Sequence, residues 1–189
     1  ICFQIPSLIQ DGICIVISPL IALMKDQVQH LRSKGIKSVA ITSVLSKDEV
    51  DVALGNCIYG NYKFLYLSPE RLQSKMVQER IRQMNVNLIT VDEAHCIAEW
   101  GYDFRPSYLH IAEIREVIPD APILALTATA TSDIIDDIQE KLLFKEKHLL
   151  QSSFVRKNLS YVVINVEDKK TKLLKILNHF FCSTPEDHQ

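Results

Sequence analysis

No Cys-x-x-Cys pair occurs in the 189-residue chain, and its five cysteines (Cys2, Cys14, Cys57, Cys96 and Cys182) lie scattered along it. That spacing indicates neither a thiolate zinc site nor a disulfide framework, and it suits a reducing, intracellular compartment. The six histidines show no metal-ligand spacing either. Long apolar runs are also missing. The longest, around residues 13 to 24, is broken by Ser18-Pro19 and has no basic segment before it, so it is too short to cross a bilayer and a soluble protein is expected. Excess positive charge is absent: the formal net charge is −2, which excludes a uniformly basic nucleic-acid coat and leaves such contacts to local patches and loops. The pattern GxxxxGK(S/T) does not occur, and nothing else replaces that cradle of backbone N–H groups and one lysine for the β- and γ-phosphates of a nucleotide. What is present is 47% hydrophobic, enough for one good core with a little left over for part of a second.

The most informative stretch runs from Leu88 to Tyr108, LITVDEAHCIAEWGYDFRPSY. Leu88 to Val91 is a short apolar run suited to a strand buried on both faces of a parallel sheet. Asp92 and Glu93 follow at its carboxyl end, the edge where open α/β sheets bind ligands. Adjacent acids there suit a magnesium-phosphate site, with Asp92 holding Mg²⁺ through water and Glu93 orienting and deprotonating the attacking water. The competing reading is a solvated acidic turn. Trp100, Tyr102, Phe104 and Tyr108 then crowd around Gly101 and Arg105, in a chain with only 7% aromatics. No helical or strand period fits them, so an exposed loop is expected, ending where Pro106 starts a helix. Aromatic faces beside an arginine stack on bases and meet phosphate, or else pin a loop to its own domain.

With Ala94 and His95 the acids spell DEAH, which resembles the Walker B motif of superfamily 2 helicases. The continuation through Tyr108 closely resembles the RecQ family of DNA helicases. That resemblance implies a loop that senses single-stranded DNA and signals to the ATP site through Trp100, Phe104 and Arg105, with His95 as the link. Tyr102 stands where the family usually has histidine and Ala98 where it usually has serine, two departures that bear on DNA coupling rather than on ATP chemistry.

The remaining segments fall around this one. ICFQIPSLIQ looks like a helix already under way, and in RecQ-like helicases the Gly-Lys-Ser of Walker A directly precedes such a pattern, so the chain is expected to start just after that motif. Ile13 to Ile17 is a strand, Ser18 an N-cap and Pro19 the first helical position. Leu20, Leu23, Met24, Val28 and Leu31 form one helical face, which Gly35 closes. A strand over 38–42, a helix over 47–59 and a strand over 64–67 lead to Ser68-Pro69-Glu70-Arg71. ISPLIALMKDQ and YLSPERL resemble motifs Ia and Ib, which implies DNA-backbone contact near Ser18, Ser68 and Arg71. Ordinary capped turns would read the same way. A helix over 76–83 precedes the central strand. Pro106 to Val117 should be helical with Leu109, Ala112 and Val117 inward, and 123–126 a strand. Thr127 to Thr131 resembles motif III, whose Thr127 and Thr129 would approach a phosphate or the Walker B acids, although a plain strand-to-helix turn fits too. Ile134, Ile135, Ile138 and Leu142 make the next helical face, and 148–151 a last strand.

Alternating strands and helices imply a mostly parallel sheet covered on both faces. The α/β fold expected is the three-layer RecA-like domain of P-loop NTPases over residues 1–153. Residues 154–189 would be a linker plus the first strand (159–166) and helix (171–181) of a second RecA-like domain, loosely held or docked on the first. The resemblance implies part of a 3′ to 5′ DNA helicase that uses ATP and Mg²⁺ to move on single-stranded and partly duplex DNA, in recombination and repair. Its partners would be its own second RecA-like and C-terminal domains, and its setting the bacterial cytoplasm and nucleoid. The alternatives are a DEAH-type RNA helicase and a non-catalytic nucleic-acid-binding module. Without Gly-Lys-Ser, the 189 residues alone are expected to be inactive.

Overall fold

The computed structural model describes residues 1–98, 103–152, 156, 158–160 and 162–182, the last three as backbone only. Trp100 and Tyr102 lie outside the described residues. Two compact units emerge, Ile1–Lys147 and His148–Gln189, a division six residues before the expected boundary at 153.

The first unit is built on five parallel strands: β1 (Ile13–Ile17), β2 (Ser38–Ile41), β3 (Phe64–Leu67), β4 (Val86–Val91) and β5 (Ile123–Ala125). Their order is β2-β3-β1-β4-β5. Side chains alternate across each strand, and because both faces are covered, the buried strands need no polar face. Ile13, Ile15 and Ile17 of β1 enter one core with Leu65, Leu67, Ile89 and Val91. Cys14 and Val16 enter the opposite core with Phe64 and Tyr66. On the second face lie α1 (Gln4–Ile9) and α2 (Ile21–Ser33), where Phe3 meets Phe64 edge-on at 6.1 Å between ring centroids. On the first face pack α3 (Lys47–Tyr59), α4 (Pro69–Leu72), α5 (Lys75–Ile81), α6 (Ile114–Val117) and α7 (Ser132–Lys141). Ser46 and Glu49 cap α3 reciprocally, satisfying two otherwise orphaned N–H groups.

Several expectations are corrected. The helix after β1 starts at Ile21, not Pro19, and Leu20 is exposed, because Ser18 turns its hydroxyl away from the helix. Pro106–Glu113 is a 3-10 helix that becomes α only at Ile114. Its buried residues are Tyr108 and Ile111, three apart, since 3-10 side chains at i and i+3 eclipse, and Ile114 and Val117 of α6 continue the spacing. Leu109 and Ala112 are only half-buried. Tyr108, expected among the exposed aromatics, is fully buried. Residues 148–151 form no strand, and neither do the described residues of 159–166. In the second unit the described helix is α8 (Lys169–Cys182), whose Leu173 and Leu174 stay exposed.

Candidate active site at the carboxyl edge of the sheet

β1 and β4 are neighbours, but the chain leaves β1 towards β2 and β3 and leaves β4 towards β5. That reversal is a topological switch point, where a crevice opens beyond the carboxyl ends of the strands. Ser18 directly follows β1 and Asp92 directly follows β4, and the two meet there. The Asp92 amide donates to the Ile17 carbonyl at 2.8 Å, and the Ser18 hydroxyl donates to Asp92 Oδ2 at 3.4 Å. Oδ1 accepts the Glu93 amide at 3.1 Å. Glu93 itself is left-handed, with φ 49° and ψ 44°, which is uncommon for a residue with a Cβ. The next residue is tied to the end of β5, because the Ala94 amide donates to the carbonyl of Leu126, the residue that follows that strand, at 2.9 Å.

His95 faces four groups from a half-buried position. Its Nδ1 lies 3.1 Å from Thr127 Oγ1 and 3.4 Å from Glu93 Oε2. Its Nε2 lies 3.6 Å from Asp103 Oδ2 and 3.9 Å from Cys96 Sγ. The imidazole thus joins the acidic turn to the loop after β5 on one side and to the loop after Ala98 on the other. Thr127 Oγ1 also accepts the Thr129 amide at 3.2 Å. Cys96 is buried, and that burial raises its thiol pKa, so it stays neutral beside the imidazole.

The sequence-derived residues therefore divide in two. Ser18, Asp92, Glu93, His95, Thr127 and Thr129 form one linked constellation. Phe104 is half-buried and Arg105 exposed, its guanidinium donating to the Pro19 carbonyl at 3.4 Å. Ser68 is buried at the start of α4. Arg71 spends its guanidinium on the carbonyls of Thr42 and Leu45, at 3.0 and 2.9 Å from Nη2. Two groups escaped sequence reasoning. Glu70 accepts the Ser107 hydroxyl at 2.8 Å, fastening the end of the aromatic loop to α4. The Tyr108 hydroxyl donates to the Asp92 carbonyl at 2.9 Å. The signal for Tyr108 was its three-residue spacing from Ile111, Ile114 and Val117.

Among the described residues no cluster of three or more His, Cys, Asp or Glu side chains forms a metal site. The one carboxylate of Asp92 with the Ser18 hydroxyl suits Mg²⁺ nonetheless, since that ion keeps most of its waters and takes its remaining ligands from phosphates. Among the described residues no helix is long and apolar enough to cross a membrane.

Residues 1–138 match the family model described as DEAD/DEAH box helicase. The chain is 39% identical over 178 residues to the probable ATP-dependent DNA helicase RecS of Bacillus subtilis (strain 168), covering 94% of this chain and 36% of that protein. It is 44% identical over 170 residues to the ATP-dependent DNA helicase RecQ of the same organism, covering 89% and 29%. With the ATP-dependent helicase wrn-1 of Caenorhabditis elegans it shares 40% over 172 residues, covering 89% and 16%. The chain thus spans between 16% and 36% of the length of these relatives. Among solved structures, the helicase domain of Pyrococcus furiosus Hef matches with a TM-score of 0.55 at 20% identity, covering 77% of this chain and 30% of that one. That likeness bears on the fold alone.

Proposed function

The chain belongs to the DEAD/DEAH box helicase family, and from that membership we propose that it is the first motor domain of a RecQ-type, ATP-dependent DNA helicase. The observation that carries this reading is the path from Glu93 through His95 to Asp103, which links the acidic turn to the loop holding Phe104 and Arg105. Asp92 and Ser18 would hold Mg·ATP through the metal's water shell, and the metal would supply charge neutralisation at the phosphates. Glu93 would orient the attacking water and take its proton. Trp100, Tyr102, Phe104 and Arg105 would meet single-stranded DNA by stacking and by phosphate contact. The full-length protein would translocate 3′ to 5′ in recombination and repair, in the cytoplasm at the nucleoid, with a second RecA-like domain and C-terminal domains as partners. RecS and RecQ carry DNA helicase in their names, which favours DNA over RNA as the substrate. Residues 154–189 would open the second RecA-like domain. The 189 residues contain no GxxxxGK(S/T) pattern, so no turnover is expected from them alone.

The test is made in the full-length protein. Glu93→Gln should leave ATP binding nearly intact and slow hydrolysis roughly 10²- to 10⁴-fold. Trp100→Ala, Phe104→Ala and Arg105→Ala should each lower the ratio of DNA-stimulated to basal hydrolysis while the basal rate holds. Wild-type turnover in Glu93→Gln would place the base elsewhere, and an unchanged ratio in all three loop variants would remove the sensing role.

A further inference from the structure

The Asp92–Glu93 peptide group is gripped on both sides. Its N–H donates to Asp92 Oδ1, and its carbonyl accepts the Tyr108 hydroxyl at 2.9 Å. The flanking amides of Asp92 and Ala94 are bonded to Ile17 and Leu126 of the neighbouring chain segments. Rotation of this one peptide plane would change φ of Glu93 and carry it out of the left-handed region, where a residue with a Cβ persists only if its surroundings over-determine it. Of these bonds, the one from Tyr108 is the one that a side chain outside the turn makes to this peptide group. It is also the one tied to the aromatic loop: the Tyr108 amide donates to the Arg105 carbonyl and the Arg105 amide to the Cys96 carbonyl, each at 2.9 Å. The ring is fully buried.

We infer that Tyr108 is a positioning residue for Glu93, its hydroxyl holding the Asp92–Glu93 peptide in the orientation that aims the Glu93 carboxylate. The catalytic half of this inference rests on the proposed role of Glu93 as base, whereas the clamp itself does not. Tyr108 thereby also gives the aromatic loop a second route into the acidic turn, separate from His95.

The experiment uses the full-length protein with Tyr108→Phe, which keeps every carbon of the side chain and removes only the donor. Ser38→Ala is the control, because Ser38 is equally buried and its hydroxyl also donates to a backbone carbonyl, that of Val28 at 3.3 Å, on the far edge strand. Tyr108→Phe should lower kcat for ATP about tenfold, the worth of one buried hydrogen bond in a barrier, with KM changed by less than about twofold. Amide hydrogen exchange at residues 93 and 94 should accelerate about tenfold by the same reasoning. Ser38→Ala should change neither. Wild-type exchange at 93 and 94 in Tyr108→Phe overturns the clamp, whatever the rates. Faster exchange with unchanged kcat overturns the positioning of Glu93. A wild-type protein that binds ATP and never hydrolyses it overturns the proposed function, and the exchange measurement still decides the clamp.

Discussion

Glu70 is one residue whose charge state links two motifs. Burial works to raise its pKa, but hydrogen bonds from its own amide and from the Ser107 and Ser68 hydroxyls, with the Arg105 charge, hold it below the ordinary carboxylate value. A depressed carboxyl contributes stability that is present above its unfolded-state pKa, about 4.3 for Glu, and lost as pH falls through the folded-state value. The side chain is largely solvent-facing, so screening keeps the effect small. Removing the donor with Ser107→Ala should move the Glu70 titration midpoint, followed by carboxyl NMR, up towards the ordinary value. It should also flatten the acid side of the stability curve. An unmoved midpoint would mean that the Ser107 contact does not form in solution.

At the scale of the element, the 3-10 helix over Pro106–Glu113 decides which side chains carry the packing. Ile111 is fully buried in the first core, whereas Leu109 is half-buried at its margin. Ile111→Ala should therefore cost about 2–5 kcal/mol, and Leu109→Ala less than half of that, in denaturant unfolding of the chain. An α-helix with Leu109 and Ala112 inward would give the reverse order. The same period brings Tyr108 under the acidic turn, so an element that looks like a connector also supports the site.

At the scale of the molecule, three cysteines sample both cores. Cys14 lies between the sheet and the face of α1 and α2, and Cys57 and Cys96 lie on the other side. Burial raises all three thiols, Cys57 to about 12, and since the thiolate is the nucleophile they should resist alkylation while the sheet stays closed. Cys2 is exposed. Iodoacetamide at pH 8 should label Cys2 at once and the other three only at the rate of opening of the fold, followed by peptide mapping in increasing urea. Early labelling of Cys14 alone would show that its face opens independently.

Residue order along the chain was sufficient for the parallel α/β architecture. Both-face burial makes strands such as Ile13–Ile17 and Phe64–Leu67 continuously apolar, and the intervening helices carry their own periods and stops, as at Gly35. It was sufficient too for the acidic turn, since Asp92-Glu93 directly follows a buried strand and the strand end is where ligands bind. Tertiary structure alone decided what each polar side chain does there. Ser18 looked like a helix cap until β1 and β4, distant in sequence, placed its hydroxyl beside Asp92. Arg71, expected near the DNA backbone, is brought by the packing of α4 to the carbonyls of Thr42 and Leu45, a pairing that local sequence does not show. Tyr108 looked like part of an exposed aromatic loop because it continues the irregular spacing of Trp100, Tyr102 and Phe104. Its burial follows from a helix of period three and from the acidic turn directly above it, and a hydrogen bond between residues 16 positions apart leaves no mark on local composition.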